Sequence, residues 1–122
     1  MKKILFVDDN EALCRLTCDI LQLEGYGAVP AFSGTDALSV FEREEFDILV
    51  TDLRMEGMDG LELARAVHHK NPRLPVILVT AYGPVETNHV HACLPKENLF
   101  PGLLEKIRAC LAEAEKAGEP AH

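Results

Sequence analysis

The stretch Phe46-Asp47-Ile48-Leu49-Val50-Thr51-Asp52 is a short apolar run that ends on a carboxylate. Its length and its polar borders mark it as a buried strand. Ile4-Leu5-Phe6-Val7 runs in the same way into Asp8-Asp9, and Pro75-Val76-Ile77-Leu78-Val79 into Thr80-Ala81. A weaker run closes near Pro95-Lys96. Helical patterns separate these runs, as expected for parallel strands joined by crossover helices. In a parallel sheet every strand's carboxyl end lies on one edge. Asp8, Asp9, Asp52, Thr80 and Lys96 would then converge in one crevice. Crowded acids repel one another and call for a divalent cation. A cation held by carboxylates, beside an ammonium and a hydroxyl, suits a phosphoryl group.

The chain's 122 residues suffice for one domain with one core. The expected division is a folded domain over residues 1–116 and a polar, fraying tail over 117–122. With 48% hydrophobic residues the composition is globular rather than disordered. The net charge of -8 argues against a nucleic-acid surface, which needs clustered Lys and Arg. No apolar stretch approaches the ~20 residues of a membrane span. Met1-Lys2-Lys3 leads into only four apolar residues, too few for a signal peptide, so the expected compartment is the cytoplasm. Cys14, Cys18, Cys93 and Cys110 show neither a disulfide-framework nor a zinc-finger spacing, and free thiols are expected.

The remaining elements follow from periodicity. Glu11 to Glu24 repeats apolar residues at Leu13, Leu16, Ile20 and Leu21 with helical period, and Gly25 ends it. Tyr26 to Ala31 is a short second strand. Ser33-Gly34-Thr35-Asp36 opens a second helix with Ala37, Leu38 and Phe41 inward. Asp59-Gly60-Leu61-Glu62 is a capping box for a third helix, burying Leu61, Ala64 and Val67 and ending at Asn71-Pro72. A last helix spans Leu99 to Lys116 with Leu103, Ile107, Leu111 and Ala114 on one face, and tolerates Pro101 only in its first turn. This alternation fits a doubly wound α/β sheet of five parallel strands in the order 2-1-3-4-5, with its ligand site where the first and third strands meet.

Four motifs, in order and at strand ends, carry a family resemblance. They are Phe6-Val7-Asp8-Asp9-Asn10, Thr51-Asp52-Leu53-Arg54-Met55 with Gly57-Met58-Asp59-Gly60, Val79-Thr80-Ala81-Tyr82-Gly83, and Lys96. Together they resemble the receiver domain of two-component response regulators over nearly the whole chain. The runs around Asp52 and Thr80 are most similar to receivers of the nitrogen-regulator type. The resemblance implies a flavodoxin-like fold with helices on both faces of the sheet. It implies that Asp52 is phosphorylated by a phosphohistidine of a sensor histidine kinase or phosphotransfer protein. Mg²⁺ would be bound by Asp9 and Asp52, by Asp8 through water, and by the backbone carbonyl of Arg54. Lys96 would hold a phosphoryl oxygen, and Thr80 would donate its hydroxyl to another and swing inward. Ala81 would leave room for the phosphoryl group, while Tyr82 and the Arg54 side chain would modulate its lifetime. The protein would be no enzyme in the ordinary sense, only slowly dephosphorylating itself.

Each residue also has a plainer role. Asp8 or Asp9 could cap the first helix. Thr80 and Lys96 could be an ordinary strand-end threonine and a surface lysine. Tyr82 could be a packed loop aromatic. His68-His69 would favour the third helix's C-terminus by charge and capping.

The chain also departs from the receiver pattern. Receivers usually place a proline directly after the lysine, whereas here Pro95 precedes Lys96 and Glu97 follows. The aromatic that usually couples to the threonine should lie three residues before the lysine, where this chain has Cys93. Glu56 stands where a proline is common. The stretch from Thr80 to Lys96 is short by roughly one and a half helical turns, so the fourth helix should be short or irregular. These departures spare the phosphoryl chemistry and strike the output face, which would bind a downstream protein partner or a second copy in a homodimer. The rival functions are a degenerate receiver that docks partners without phosphorylation, and a flavodoxin-like or phosphatase-like enzyme. The acids of Asp8-Asp9-Asn10-Glu11 oppose a flavin phosphate loop, and a haloacid-type phosphatase needs a cap domain or more length. No DNA-binding domain fits within the chain, so a separate partner reads its state or the chain is one domain of a longer protein.

Overall fold

The structure is a computed structural model that describes residues 1–81, 89–97 and 99–118. The strands are β1 (Lys3–Val7), β2 (Gly27–Ala31), β3 (Ile48–Asp52), β4 (Val76–Thr80) and β5 (Ala92–Pro95). The helices are α1 (Glu11–Leu23), α2 (Gly34–Arg43), α3 (Gly60–Lys70) and α4 (Gly102–Gly118). The strands form one sheet in the order β2-β1-β3-β4-β5, every pair parallel. The doubly wound sheet read from the sequence is therefore the observed one.

Strand alternation divides the core in two. Ile4, Phe6, Ile48, Val50, Ile77 and Val79 face α1 and α4, meeting Cys14, Cys18, Leu21, Leu103 and Ile107. Their neighbours Leu5, Val7, Leu49 and Val76 point the other way, toward Ala37 of α2 and Leu63, Ala64 and Val67 of α3. Every residue of β3 and β4 is buried, as strands covered on both faces must be.

The helices hold two corrections besides that of α3, where Leu63 is buried and the expected Leu61 only half-buried. The inner stripe of α1 is Cys14, Thr17, Cys18 and Leu21, while Leu16 is 57% exposed. These positions keep the helical i, i+3, i+4, i+7 spacing. Two thiols and a threonine fill three of its four positions, so a count of aliphatic residues found only Leu21 of the inner face. The Thr17 hydroxyl is satisfied by donating to the Leu13 carbonyl at 2.8 Å. The second correction is at α4, which begins at Gly102, with Pro101 just before it rather than in its first turn. Gly102 is preceded by a cis Phe100–Pro101 peptide.

The short or irregular fourth helix expected between β4 and β5 falls on residues 82–88, outside the described residues. Residues 119–122 of the expected tail lie outside them as well, while α4 continues to Gly118. Among the described residues, no helix is long and apolar enough to cross a membrane.

Candidate functional site

The strand register builds the site. Val7 pairs with Thr51, so the next rung sets Asp8 beside Asp52, the last residue of β3. Asp52 pairs with Val79, and Thr80 pairs with Pro95, which brings Lys96 to the same edge. Asp8 and Asp52 share the strand parity of Phe6 and Val50, and both are buried, at 2% and 5% exposure. Thr80 has the opposite parity and is buried also.

The backbone at each strand end is pinned. The Asp8 amide donates to the Ala31 carbonyl at 3.1 Å, and the Leu53 amide to the Val79 carbonyl at 3.0 Å. The Lys96 amide donates to the Thr80 carbonyl at 3.1 Å, continuing the β4–β5 ladder one step past Pro95. That bond aims the lysine without a proline after it. Its Nζ lies 2.9 Å from Asp52 Oδ2 and 3.6 Å from Asp8 Oδ2.

Asp8 does not cap the first helix. Asn10 does so, its Oδ1 accepting from the Leu13 amide at 3.1 Å. The Asn10 amide in turn donates to Asp8 Oδ1 at 3.0 Å. Burial raises the Asp8 pKa above the usual carboxylate value, and the charges of Asp52 and Asp9 add to the rise. The Asn10 hydrogen bond and the Lys96 charge work against it but do not cancel it. Burial also works against the Lys96 ammonium, yet its hydrogen bond to Asp52 and the charges of Asp8 and Asp52 outweigh this and raise its pKa.

Asp8, Asp9 and Asp52 place one ligand oxygen each within 4.8 Å of one another, and among the described residues no other group of three does so. This all-oxygen donor set, with two members buried and one exposed, matches what Mg²⁺ prefers. Arg54 lies exposed in the loop after β3, between the buried Leu53 and Met55, and Ala81 lies exposed beside Thr80. Tyr82 lies outside the described residues. Cys93 is half-buried and lines a cavity of about 340 Å³ with Thr80, Ala81 and Lys96.

Sequence reasoning passed over two supporting residues. Asn10 holds both Asp8 and the start of α1. Gly60 opens α3 so close to β3 that an added Cβ would lie 2.3 Å from the Asp52 carbonyl oxygen. The signal for the second was a glycine directly after the Asp59 cap. The His68-His69 reading also needs correction: His68 is buried, and its Nε2 lies 2.9 Å from the Leu74 carbonyl rather than at a solvated helix end.

Comparison with known proteins agrees with the fold. Residues 4–97 match the family model described as the response regulator receiver domain. The transcriptional regulatory protein GlrR of Escherichia coli (strain K12) is 42% identical over 82 residues, covering 67% of this chain. The match spans only 18% of that relative's length. Among solved structures, a CheY-like receiver domain protein from Methanospirillum hungatei JF-1 superposes with a TM-score of 0.90 at 34% identity, covering 97% of this chain and 99% of the other. The response regulator TrrA of Thermotoga maritima, in complex with Mg²⁺-BeF, gives 0.84 at 32% identity over 90% of this chain and 99% of the other. TrrA has also been solved in complex with the histidine kinase ThkA, where the TM-score is 0.83 at 33% identity over 91% and 99% of the two chains.

Proposed function

Because the chain belongs to the response regulator receiver domain family, we propose that it is a phosphoacceptor in two-component signalling, with Asp52 as the residue phosphorylated. In this reading an Asp52 carboxylate oxygen attacks the phosphorus of a partner's phosphohistidine. An O–P bond forms, the P–N bond breaks, and the imidazole leaves with its electron pair. The observation that carries the reading is the placement of Asp52 at the sheet edge, 2.9 Å from the Lys96 ammonium and beside two further acids. Phosphoryl transfer asks chiefly for positioning and charge stabilisation, and this arrangement offers both.

Lys96 would hold a phosphoryl oxygen once Asp52 is modified. Thr80 would donate its hydroxyl to another, and Ala81 would leave space for the group. Asp8, Asp9, Asp52 and the Arg54 backbone carbonyl would hold Mg²⁺. When bound, Mg²⁺ supplies positive charge that offsets the carboxylates and the transferring oxygens. The acyl phosphate would hydrolyse slowly on the protein itself, with Tyr82 and Arg54 modulating its lifetime. The phosphodonor would be a sensor histidine kinase or phosphotransfer protein, in keeping with the TrrA–ThkA complex, and the output a protein–protein contact.

The test is incubation with Mg²⁺ and a small acyl-phosphate donor, read by intact mass. One acid-labile phosphoryl group should appear on the native chain and none on Asp52→Asn. Equal modification of the variant would refute the assignment.

A second reading, a receiver that docks partners without phosphorylation, draws on Cys93 in the place of the coupling aromatic, beside the cavity it shares with Thr80. Titration with beryllofluoride and Mg²⁺ separates the two, since a docking module of that kind would not respond.

A further inference from the structure

A cluster of histidines lies apart from the carboxylates. His68 is buried near the C-terminal end of α3, and His89 and His91 directly precede β5. The sheet is parallel, so the start of β5 lies at the edge opposite Asp52. His68 Nε2 sits 2.9 Å from the Leu74 carbonyl, an acceptor only, so this nitrogen carries the hydrogen and donates it. The neutral ring then keeps a lone pair on Nδ1. That atom faces His89 Nδ1 at 3.2 Å. His91 is engaged otherwise: its Nδ1 accepts the Val76 N–H at 3.0 Å, and its ring packs edge-on to His68 with centroids 5.5 Å apart.

We propose that His68 and His89 form a second cation site, chelating a borderline divalent transition metal such as Zn²⁺ through their two Nδ1 atoms. The spacing fits. Two nitrogens at roughly 2.0–2.1 Å from a tetrahedral Zn²⁺ lie about 3.3–3.4 Å apart, and the pair is found at 3.2 Å. The orientation fits as well. Metal-ligating histidines donate their other ring N–H to a carbonyl or carboxylate, and His68 already does so to Leu74. An ion has a way in, because both rings line a cavity of about 870 Å³ along α3. When a neutral His89 ligates through Nδ1, its proton resides on Nε2, so binding to neutral rings releases no proton. Water completes the coordination.

Donor chemistry separates this site from the first. Imidazole nitrogen selects Zn²⁺, Ni²⁺ and Cu²⁺, whereas carboxylate oxygen suits Mg²⁺. Chelation at His68 and His89 would tie the end of α3 to the approach of β5. An ion that binds only the folded chain stabilises it by mass action.

The test uses tag-free protein in excess Mg²⁺, titrated with Zn²⁺ by calorimetry near neutral pH, with the imidazole nitrogens followed by long-range ¹H–¹⁵N NMR. We expect one Zn²⁺ per chain, a perturbed His68 Nδ1 resonance, and retention of the Nε2–H bond to Leu74. Affinity should fall in His68→Gln and in His89→Gln by at least the roughly 10–100-fold that loss of a ligand's outer partner costs. His89 is only half-buried, so His89→Gln decides the matter should the buried variant misfold. Zn²⁺ binding should persist in Asp9→Ala. Absence of binding, undiminished binding in His89→Gln, or loss in Asp9→Ala would overturn the proposal. The last result would place the ion on the carboxylates. None of these readouts depends on whether Asp52 is phosphorylated.

Discussion

Asp8 is held under two opposing demands. The register places its carboxylate beside Asp52 at 2% exposure, where burial favours the neutral form. A cation site needs it ionised. Its folded-state pKa is raised above the ordinary value of 3.8, so in the metal-free protein the folded state binds the proton more tightly than the unfolded chain does. Stability from this group is complete below that value and is lost as pH rises through the folded-state pKa. Asp8→Asn should therefore raise the melting temperature of Mg²⁺-free protein at neutral pH, with the advantage shrinking toward acid pH; melts across pH in a chelator check this. Mg²⁺ should reverse the balance for the native chain. Binding at a hundred times its Kd adds about 2.7 kcal/mol, and Asp9→Ala should abolish the rise in melting temperature with added Mg²⁺. The three acids were legible because each sits at the end of an apolar run. Lys96 was less so, since Pro95 precedes it, and its aim rests on a backbone bond to the Thr80 carbonyl. The histidine pair was not legible at all, because its members are 21 residues apart and meet only through the fold.

The elements show which local signals can be trusted. The Asp59–Glu62 capping box was readable, and it is formed from both sides: the Asp59 carboxylate accepts from the Glu62 amide at 2.8 Å, and Glu62 reaches back to the Asp59 amide. The inner face of α1 was not, because thiols and a threonine fill three of its four positions. Gly60 lies between these cases. Its backbone is ordinary helix, and only the packed structure reveals that a Cβ would lie 2.3 Å from the Asp52 carbonyl oxygen and 3.0 Å from Leu53 Cα. Those contacts are backbone, which cannot rotate away. Gly60→Ala must shift α3 from β3 or displace the end of β3, and overpacking of this kind costs about 1–3 kcal/mol. Urea denaturation should show that loss, and phosphorylation of Asp52 should slow even in the folded fraction. Asp59→Ala should cost about 0.5–2 kcal/mol through the lost cap while leaving the phosphorylation rate of the folded protein much nearer to native.

At the scale of the molecule, one sheet separates two apolar layers that, among the described residues, no single helix bridges. The strand order was readable because buried runs alternate with helical stretches, whereas the connection over residues 82–88 lies outside the described residues. Leu63 anchors the layer under α2 and α3, and Ile107 the layer under α1 and α4, both at 0% exposure. The layers could melt separately only if the sheet survived with one face bare. Its central strands forbid that. Leu49 and Val50 are adjacent in β3, both at 0% exposure, and point into opposite layers. Stripping either face thus exposes half of a strand whose other half holds the remaining layer. Leu63→Ala and Ile107→Ala should each cost about 2–5 kcal/mol, and each should move a single transition rather than create a second. Circular dichroism of the backbone and of the aromatic region, followed through urea, should give superimposable curves for both variants, as expected for a two-state domain. Curves that separate in Ile107→Ala alone would show that the α1–α4 layer unfolds as a unit of its own.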